Sequence, residues 1–302
     1  MAARLEALLA GLDPAALRAE GAALLIAGPT GAGKSALAEE LADRLPCEIV
    51  SVDSCAVYRR LDIGSAKPSA AVRAKIPHHL IDILDPDGAY SAGRFFRDAA
   101  ACVAAIQARG RLPLLVGGTM MYVNTLLHGL DEAPAQEAAA RAAARQMEEE
   151  GSAAVHAKLA ALDPAFGRRV GPNDSQRIGR ALAIHLAGGP PARRRRPPPF
   201  KLRRRFLVPR SRSELRRRVE LRFMAMIERG LVAEVEGILA DYPADIGALR
   251  SVGYRQVVAH LQGKTGWEEA LRRGRAASSQ LVRRQLAWLR RFAPRPEETV
   301  EV

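Results

Sequence analysis

The stretch Gly28-Pro29-Thr30-Gly31-Ala32-Gly33-Lys34-Ser35 fits G-x-x-x-x-G-K-[ST] at every fixed position, the pattern of a Walker A phosphate-binding loop. The apolar run Ala22 to Ala27 enters it as a buried strand should, and Ser35 to Ala42 leaves it with the spacing of an amphipathic helix. The glycines let backbone N–H groups converge on an anion. The helix N-terminus adds partial positive charge, Lys34 adds a full one, and the Ser35 hydroxyl is a ligand for Mg²⁺. The stretch therefore predicts a grip on a phosphorylated molecule.

Working outward, Cys47 to Asp53 reads as a second strand ending on a carboxylate, and Leu112 to Thr119 as another short apolar run closing in Gly117-Gly118-Thr119. Helical sequence from Ala92 to Gly110 lies between them. Alternating strands and helices predict an α/β fold, a P-loop NTPase-like doubly wound parallel sheet whose ligands gather at the carboxyl ends of the strands. From Asp131 to about Leu186 strand signals give way to Ala/Glu/Arg-rich helical sequence such as Glu137 to Glu150 and Gln176 to Leu186, an inserted helical domain. We divide the chain into an N-terminal extension (1–21), the first part of the core (22–130), the insertion (131–187), a Pro/Arg-rich connection (188–205) and the completion of the core with basic helices (206–302). Leu202 to Val208 predicts a returning strand, and Glu214 to Asp241 and Trp267 to Phe292 predict long helices.

The charge is divided unevenly. Residues 1–189 hold 20 Lys/Arg against 21 Asp/Glu and residues 190–302 hold 26 against 12, so −1 and +14 make up the net +13. A phosphate-gripping part joined to a strongly basic part suggests a protein that handles a small phosphorylated molecule while holding a polyanion, nucleic acid above all. A merely solvated Arg-rich face is the plainer alternative. Arg4, Glu6, Asp13, Arg18 and Glu20 interrupt the first 21 residues, so they match neither signal peptide nor membrane span, and we expect a cytoplasmic protein with no membrane partner. Cys47, Cys55 and Cys102 form no C-x-x-C pair and are expected to be reduced and buried.

Asp53, eighteen residues beyond the phosphate loop, is placed to take a proton from a nucleophile or to hold Mg²⁺ through water, or else simply to cap a loop. The loosely met Walker B pattern argues against a nucleotide-hydrolysing motor. Thr119 offers a hydroxyl and an N–H to a leaving phosphate oxygen. His78 and His79, side by side in an extended segment, point to opposite faces, which favours a structural role over chelation. A small-molecule kinase, an AMP-directed prenyl transferase and a nucleotide-gated RNA-binding module remain open on these residues alone.

Taken with IVSVDSCAVYRRLDIGSAKP (49–68), HHLIDILDPDGAYSAGRFFRDA (78–99), LPLLVGGTMMY (112–122), PNDSQRIGRAL (172–182), LRSVGYRQ (249–256) and RRQLAWLR (283–290), the phosphate loop resembles the tRNA dimethylallyltransferases (IPP transferases). The likeness runs from Leu24 to Arg290. It implies a transferase that moves a dimethylallyl group from dimethylallyl diphosphate to the N6 amine of adenosine 37, beside the anticodon of tRNA. Gly28 to Ser35 would then cradle diphosphate rather than ATP, Asp53 would be the general base, and Thr119 and Lys34 would assist, with Mg²⁺ at Ser35. The resemblance also implies tRNA contacts at Asp53, Ser54, Cys55, Ala56 and Thr119, at Gln176, Arg177, Ile178, Gly179 and Arg180, at Arg250, Gly253, Tyr254 and Arg255, and at Arg283, Arg284, Gln285, Trp288 and Arg290. Arg141 is the candidate early in the insertion, the partner is the anticodon stem-loop, and the protein is expected to be a monomer. The chain departs from the family pattern in three places: Cys55-Ala56 replaces Met-Gln, Ser278-Ser279-Gln280 replaces Thr-Arg-Gln, and the 190–205 stretch has no counterpart.

Overall fold

A computed structural model describes residues 2–131, 137–189, 195–292 and 294–302. The described chain forms two compact units, residues 1–127 with 198–302, and residues 128–197. Residues 190–194 of the Pro/Arg-rich connection, Arg193 and Arg194 among them, lie outside the described residues, as do 132–136 of the insertion.

The strands in chain order are β1 (Ala22–Ala27), β2 (Cys47–Val52), β3 (His78–His79), β4 (Leu112–Gly117), β5 (Leu130–Asp131), β6 (Arg195–Arg196), β7 (Lys201–Val208) and β8 (Thr299–Glu301). In the larger unit six of them form one sheet in the order β3-β2-β4-β1-β7-β8, parallel throughout. Strands β1, β2 and β4 are buried from end to end, which is why they read as unbroken apolar runs. Successive residues still serve opposite faces. Leu24, Ile26, Ile49, Leu114 and Val116 pack with Leu5, Leu8, Leu17, Leu37 and Leu41, which come from the helices Ala2–Leu9, Pro14–Ala19 and Lys34–Arg44. Leu25, Ala27, Val50, Val52 and Leu115 pack with Phe95, Val103, Ile106, Tyr122, Leu289 and Phe292, from the helices Ala92–Ala108, Met120–His128 and Trp267–Phe292. Each fully buried Leu, Ile or Phe contributes about 1.5–3 kcal/mol. Helices on both faces make the sheet doubly wound.

A further apolar cluster joins Val57, Tyr58 and Leu61 to Phe223, Leu231, Val235, Ile238, Leu249, Tyr254 and Val257. The segment Glu214 to Asp241 is two helices rather than one, Arg212–Glu228 and Leu231–Leu239. They part at Gly230, whose φ of 100° no helix accommodates. Of the cysteines, Cys47 alone is fully buried, while Cys55 and Cys102 are half-buried. All three are free thiols.

The smaller unit packs the helices Glu137–Glu150, Ser152–Leu162, Pro164–Arg169 and Ser175–Leu186 around Ala143, Val155, Leu159, Phe166, Ile178 and Leu182. Asp163 and Asp174 cap two of these helices by accepting from the N–H groups of Ala165 and Arg177. The antiparallel pair β5 and β6 also belongs to this unit. Among the described residues no helix is long and apolar enough to cross a membrane.

Candidate active site

The parallel register sets Ala27 beside Gly117 and Gly117 beside Val52, so the turns after β1, β2 and β4 open at one edge of the sheet. Side chains there surround a cavity of about 760 Å³ lined by the phosphate loop, Asp53, Thr119, Arg222 and Trp288, among others. The close approach of these turns demands glycine. A Cβ on Gly117 would fall 2.2 Å from the Val52 carbonyl oxygen, and one on Gly118 would fall 2.9 Å from that of Gly28.

Gly31 and Gly33 hold φ values of 80° and 87°, which bend the loop back over the start of the helix Lys34–Arg44. Helix Arg212–Glu228 covers it, since a Cβ on Gly31 would meet Val219 at 2.9 Å and Leu215 at 3.2 Å. Lys34 folds inward and its ammonium donates to the Pro29 carbonyl at 2.8 Å. Burial pulls the pKa of this ammonium down to about 8, against the opposing pull of Asp53.

Asp53 follows the last residue of β2. Its Oδ1 accepts from the N–H groups of Cys55 at 2.7 Å and Ala56 at 3.2 Å, which fixes the carboxylate at the cavity wall. Thr119 lies across from it. Its hydroxyl accepts from the Ser54 N–H at 3.0 Å and donates to the Ser54 hydroxyl at 3.2 Å, tying the glycine turn to the Asp53 loop. The Cys55 thiol donates to the Ser251 hydroxyl at 3.1 Å, and burial beside Asp53 pushes its pKa up to about 12. At neutral pH it is a protonated thiol, not a nucleophile.

Of the other residues marked in the sequence, Arg250, Arg255 and Arg284 are exposed and line the cavity with half-buried Trp288, while Arg283 and Arg290 are exposed on the same long helix. Tyr254 is wholly buried in the core and its hydroxyl donates to Glu234, so its side chain has no surface to offer RNA. Gly253 is buried as well, its φ of 94° starting the next helix. Ile178 is likewise core, and Ala56 and Gln285 are 5% exposed. Gln176, Arg177 and Arg180 are exposed around half-buried Gly179 on the helix Ser175–Leu186, and Arg141 lies on an exposed face of the helix Glu137–Glu150.

Ser278 and Ser279 are buried between helices, donating to the Gly274 carbonyl and to Glu220, so an arginine there would have to displace this packing. His79 pairs with the buried Glu48 at 2.6 Å, and His78 lies 2.7 Å from the Ile76 carbonyl. Among the described residues no cluster of His, Cys, Asp and Glu is arranged to hold a metal ion.

Sequence reading missed Arg222 and Lys67, both of which line the cavity. Arg222 follows the run Arg216 to Arg218 in an arginine-rich helix, where composition hides it.

The IPP transferase family profile matches residues 56–292. The chain is 51% identical over 276 residues to the tRNA dimethylallyltransferase of Thiobacillus denitrificans, covering 89% of this chain and 88% of that one. It is 50% identical over 282 residues to the tRNA dimethylallyltransferase of Halorhodospira halophila, with 88% and 89% covered. Among solved structures, the full-length tRNA isopentenylpyrophosphate transferase from Bacillus halodurans aligns over 94% of this chain and 89% of its own, at 33% identity and a TM-score of 0.66. A eukaryotic dimethylallyltransferase acting on tRNA aligns over 89% of this chain and 69% of its own, at 25% identity and a TM-score of 0.75. Likeness of this extent, in sequence and in three dimensions alike, means that the chain belongs to the IPP transferase family.

Proposed function

We propose that this chain transfers the dimethylallyl group of dimethylallyl diphosphate to the N6 amine of adenosine 37 in tRNA and releases diphosphate. Its relatives are named tRNA dimethylallyltransferases, and one observation supports the chemistry most directly. A single cavity joins a phosphate loop to a fixed carboxylate and a threonine turn, beneath helices rich in arginine.

The loop N–H groups and Lys34 receive the diphosphate, and Arg222 adds a further positive charge. The allylic C–O bond breaks with its electron pair leaving on the diphosphate, and the N6 nitrogen forms the new bond to carbon. Adenine's exocyclic lone pair is delocalised into the ring, so the amine needs orientation and a base; Asp53 takes the N6 proton as the C–N bond forms. Thr119 holds the Asp53 loop in place, its hydroxyl accepting from the Ser54 N–H and its own N–H donating to the Val52 carbonyl. The Ser35 hydroxyl, a hard oxygen donor on the cavity wall, would hold Mg²⁺, which would supply charge neutralisation for the leaving diphosphate and leave the Asp53 carboxylate free to act as base.

The target base must leave the anticodon loop to enter the cavity, so the surrounding surface has to hold the RNA. We assign this to Ser54, Arg250, Arg255, Arg283, Arg284, Trp288 and Arg290 in the larger unit, and to Arg141, Gln176, Arg177, Gly179 and Arg180 in the smaller one. The protein works as a monomer in the cytoplasm, in keeping with its three free thiols.

The test is a single-turnover reaction of the protein, Mg²⁺ and dimethylallyl diphosphate with an anticodon stem-loop carrying adenosine at position 37. Prenylated adenosine is the expected product. Transfer to AMP but not to the stem-loop, or no transfer at all, overturns the proposal.

A further inference from the structure

Gln285 stands where three separate segments converge. Its amide oxygen accepts from the Thr30 N–H at 3.0 Å, and its amide nitrogen donates to the Gly118 carbonyl at 2.9 Å. A Cβ on Gly118 would lie 2.9 Å from the Gly28 carbonyl oxygen, 3.0 Å from the Gln285 amide nitrogen and 3.4 Å from the Lys34 ammonium. Phosphate loop, glycine turn and amide therefore pack without slack. The two partners also fix which way the amide points, because a flipped amide would set donor against donor and acceptor against acceptor. Both ends of the group are committed to the protein backbone. That leaves Gln285 poorly suited to the direct tRNA contact its sequence neighbourhood suggests.

Its neighbours on the helix Trp267–Phe292 differ. Arg283, Arg284 and Arg290 are exposed, and Arg284 and Trp288 line the cavity. The same stretch of helix thus carries an outward basic face and, between those residues, an inward strut to the two turns that would bracket the diphosphate. A shift of this helix on engaging RNA cannot leave both Thr30 and Gly118 where they were unless the Gln285 bonds break.

We propose that Gln285 is a positioning residue that couples RNA engagement by this helix to the spacing between the phosphate loop and the Thr119 turn, so that RNA and diphosphate strengthen each other's binding. The inference rests on the function proposed above, in taking the polyanion to be RNA and the small anion to be diphosphate. Such coupling is reciprocal, so each ligand must tighten the other by the same factor.

The experiment measures binding of inorganic pyrophosphate to the full chain with and without saturating anticodon stem-loop, and of the stem-loop with and without pyrophosphate. In the unaltered protein each ligand should tighten the other by roughly 5- to 150-fold. Gln285→Met keeps side-chain length and loses both hydrogen bonds. It should bring that factor close to one, while stem-loop affinity without pyrophosphate stays within about twofold, the range of an uncontacted position. Arg283→Ala should do the reverse, weakening the stem-loop and preserving the factor.

If Gln285→Met lowers the thermal midpoint and both affinities together, Gln285→Glu decides the matter. It keeps the acceptor for Thr30 and loses the donor to Gly118, and in a ratio of affinities the direct effect of its charge cancels. Undiminished coupling in either folded variant, or no coupling in the unaltered protein, overturns the inference. Prenyl transfer without coupling would sink this inference alone, and coupling without transfer would sink the proposed function alone.

Discussion

Two loops face the same cavity and are held in place by different means. The phosphate loop, Gly28 to Ser35, is built largely from contiguous sequence: a buried strand before it, glycines at φ 80° and 87° within it and a helix after it. The segment from Ser54 to Leu84 contributes Cys55, Ala56 and Gly64 to Pro68 to the opposite wall and has little regular structure. Distant residues hold it. Glu234 accepts from the N–H groups of Asp62, Ile63 and Gly64 and from the Tyr254 hydroxyl, and Arg60 pairs with Asp241 at 2.6 Å. Within the segment the buried Lys67 ammonium meets Asp62 and Asp82, each at 2.6 Å.

This wall also carries backbone strain. Arg60, Ala66, Leu80 and Asp82 all have φ between 51° and 68°, a region that costs about 1–2 kcal/mol for a residue with a side chain. A loop built largely of glycine and local hydrogen bonds takes most of its shape from its own sequence, with Gln285 reaching in only at the Thr30 N–H. One held by a carboxylate 170 residues away forms only in the finished fold.

The comparison can be tested most severely at its chemical centre. Asp53→Asn keeps an oxygen to accept from Cys55 and Ala56 but cannot take a proton. Turnover in a single-turnover assay should fall roughly 10²- to 10⁴-fold, while pyrophosphate binding by calorimetry stays unchanged; an equal loss of both would make Asp53 a structural residue. Lys34→Met removes the buried ammonium, and pyrophosphate should bind roughly 10- to 100-fold more weakly. Full affinity in that variant would mean that the loop N–H groups bind the anion by themselves.

Glu234→Ala addresses the other wall. It leaves three backbone N–H groups and a buried hydroxyl without their acceptor, and should cost about 1–3 kcal/mol in denaturant unfolding. Amide exchange should quicken at Asp62 to Gly64 and not at Gly31 to Ser35; equal quickening at both would show that the loops are not held separately.

The smallest effect is one of pH. With the Lys34 pKa held near 8, the ammonium is present below that pH, and above it pyrophosphate must bring a proton with it, so affinity should fall as pH rises through about 8. Stability runs the opposite way. Because the folded pKa lies below the ordinary 10.5, the unfolded chain binds the extra proton between the two values, and this lysine's contribution to stability rises over that window. Affinity flat from pH 7 to 9 would show that Lys34 keeps its proton throughout.

The same division explains what was readable in advance. Strands β1, β2 and β4 are apolar from end to end because both their faces are covered, and the long helix Trp267–Phe292 follows from its periodicity alone. The helix break at Gly230 was missed because the apolar spacing continues on both sides of it, and only the φ of 100° shows the turn. Tyr254 lies between two exposed arginines and looks like one of them in sequence, yet it fills the core behind the Ser54 to Leu84 wall. Gln285 looks equally like its basic neighbours until its partners 255 and 167 residues away are seen.

By itself, then, the sequence determined the phosphate loop, the parallel α/β sheet, the carboxylate after β2 and the basic last third, because each depends on residue types at short spacing. Tertiary structure alone decided which arginines reach the cavity, which motif residues are core, and how Thr30, Gly118 and Gln285 lock together. Those outcomes depend on hydrogen bonds and packing between segments far apart in the chain, and no local pattern encodes the partner at the other end.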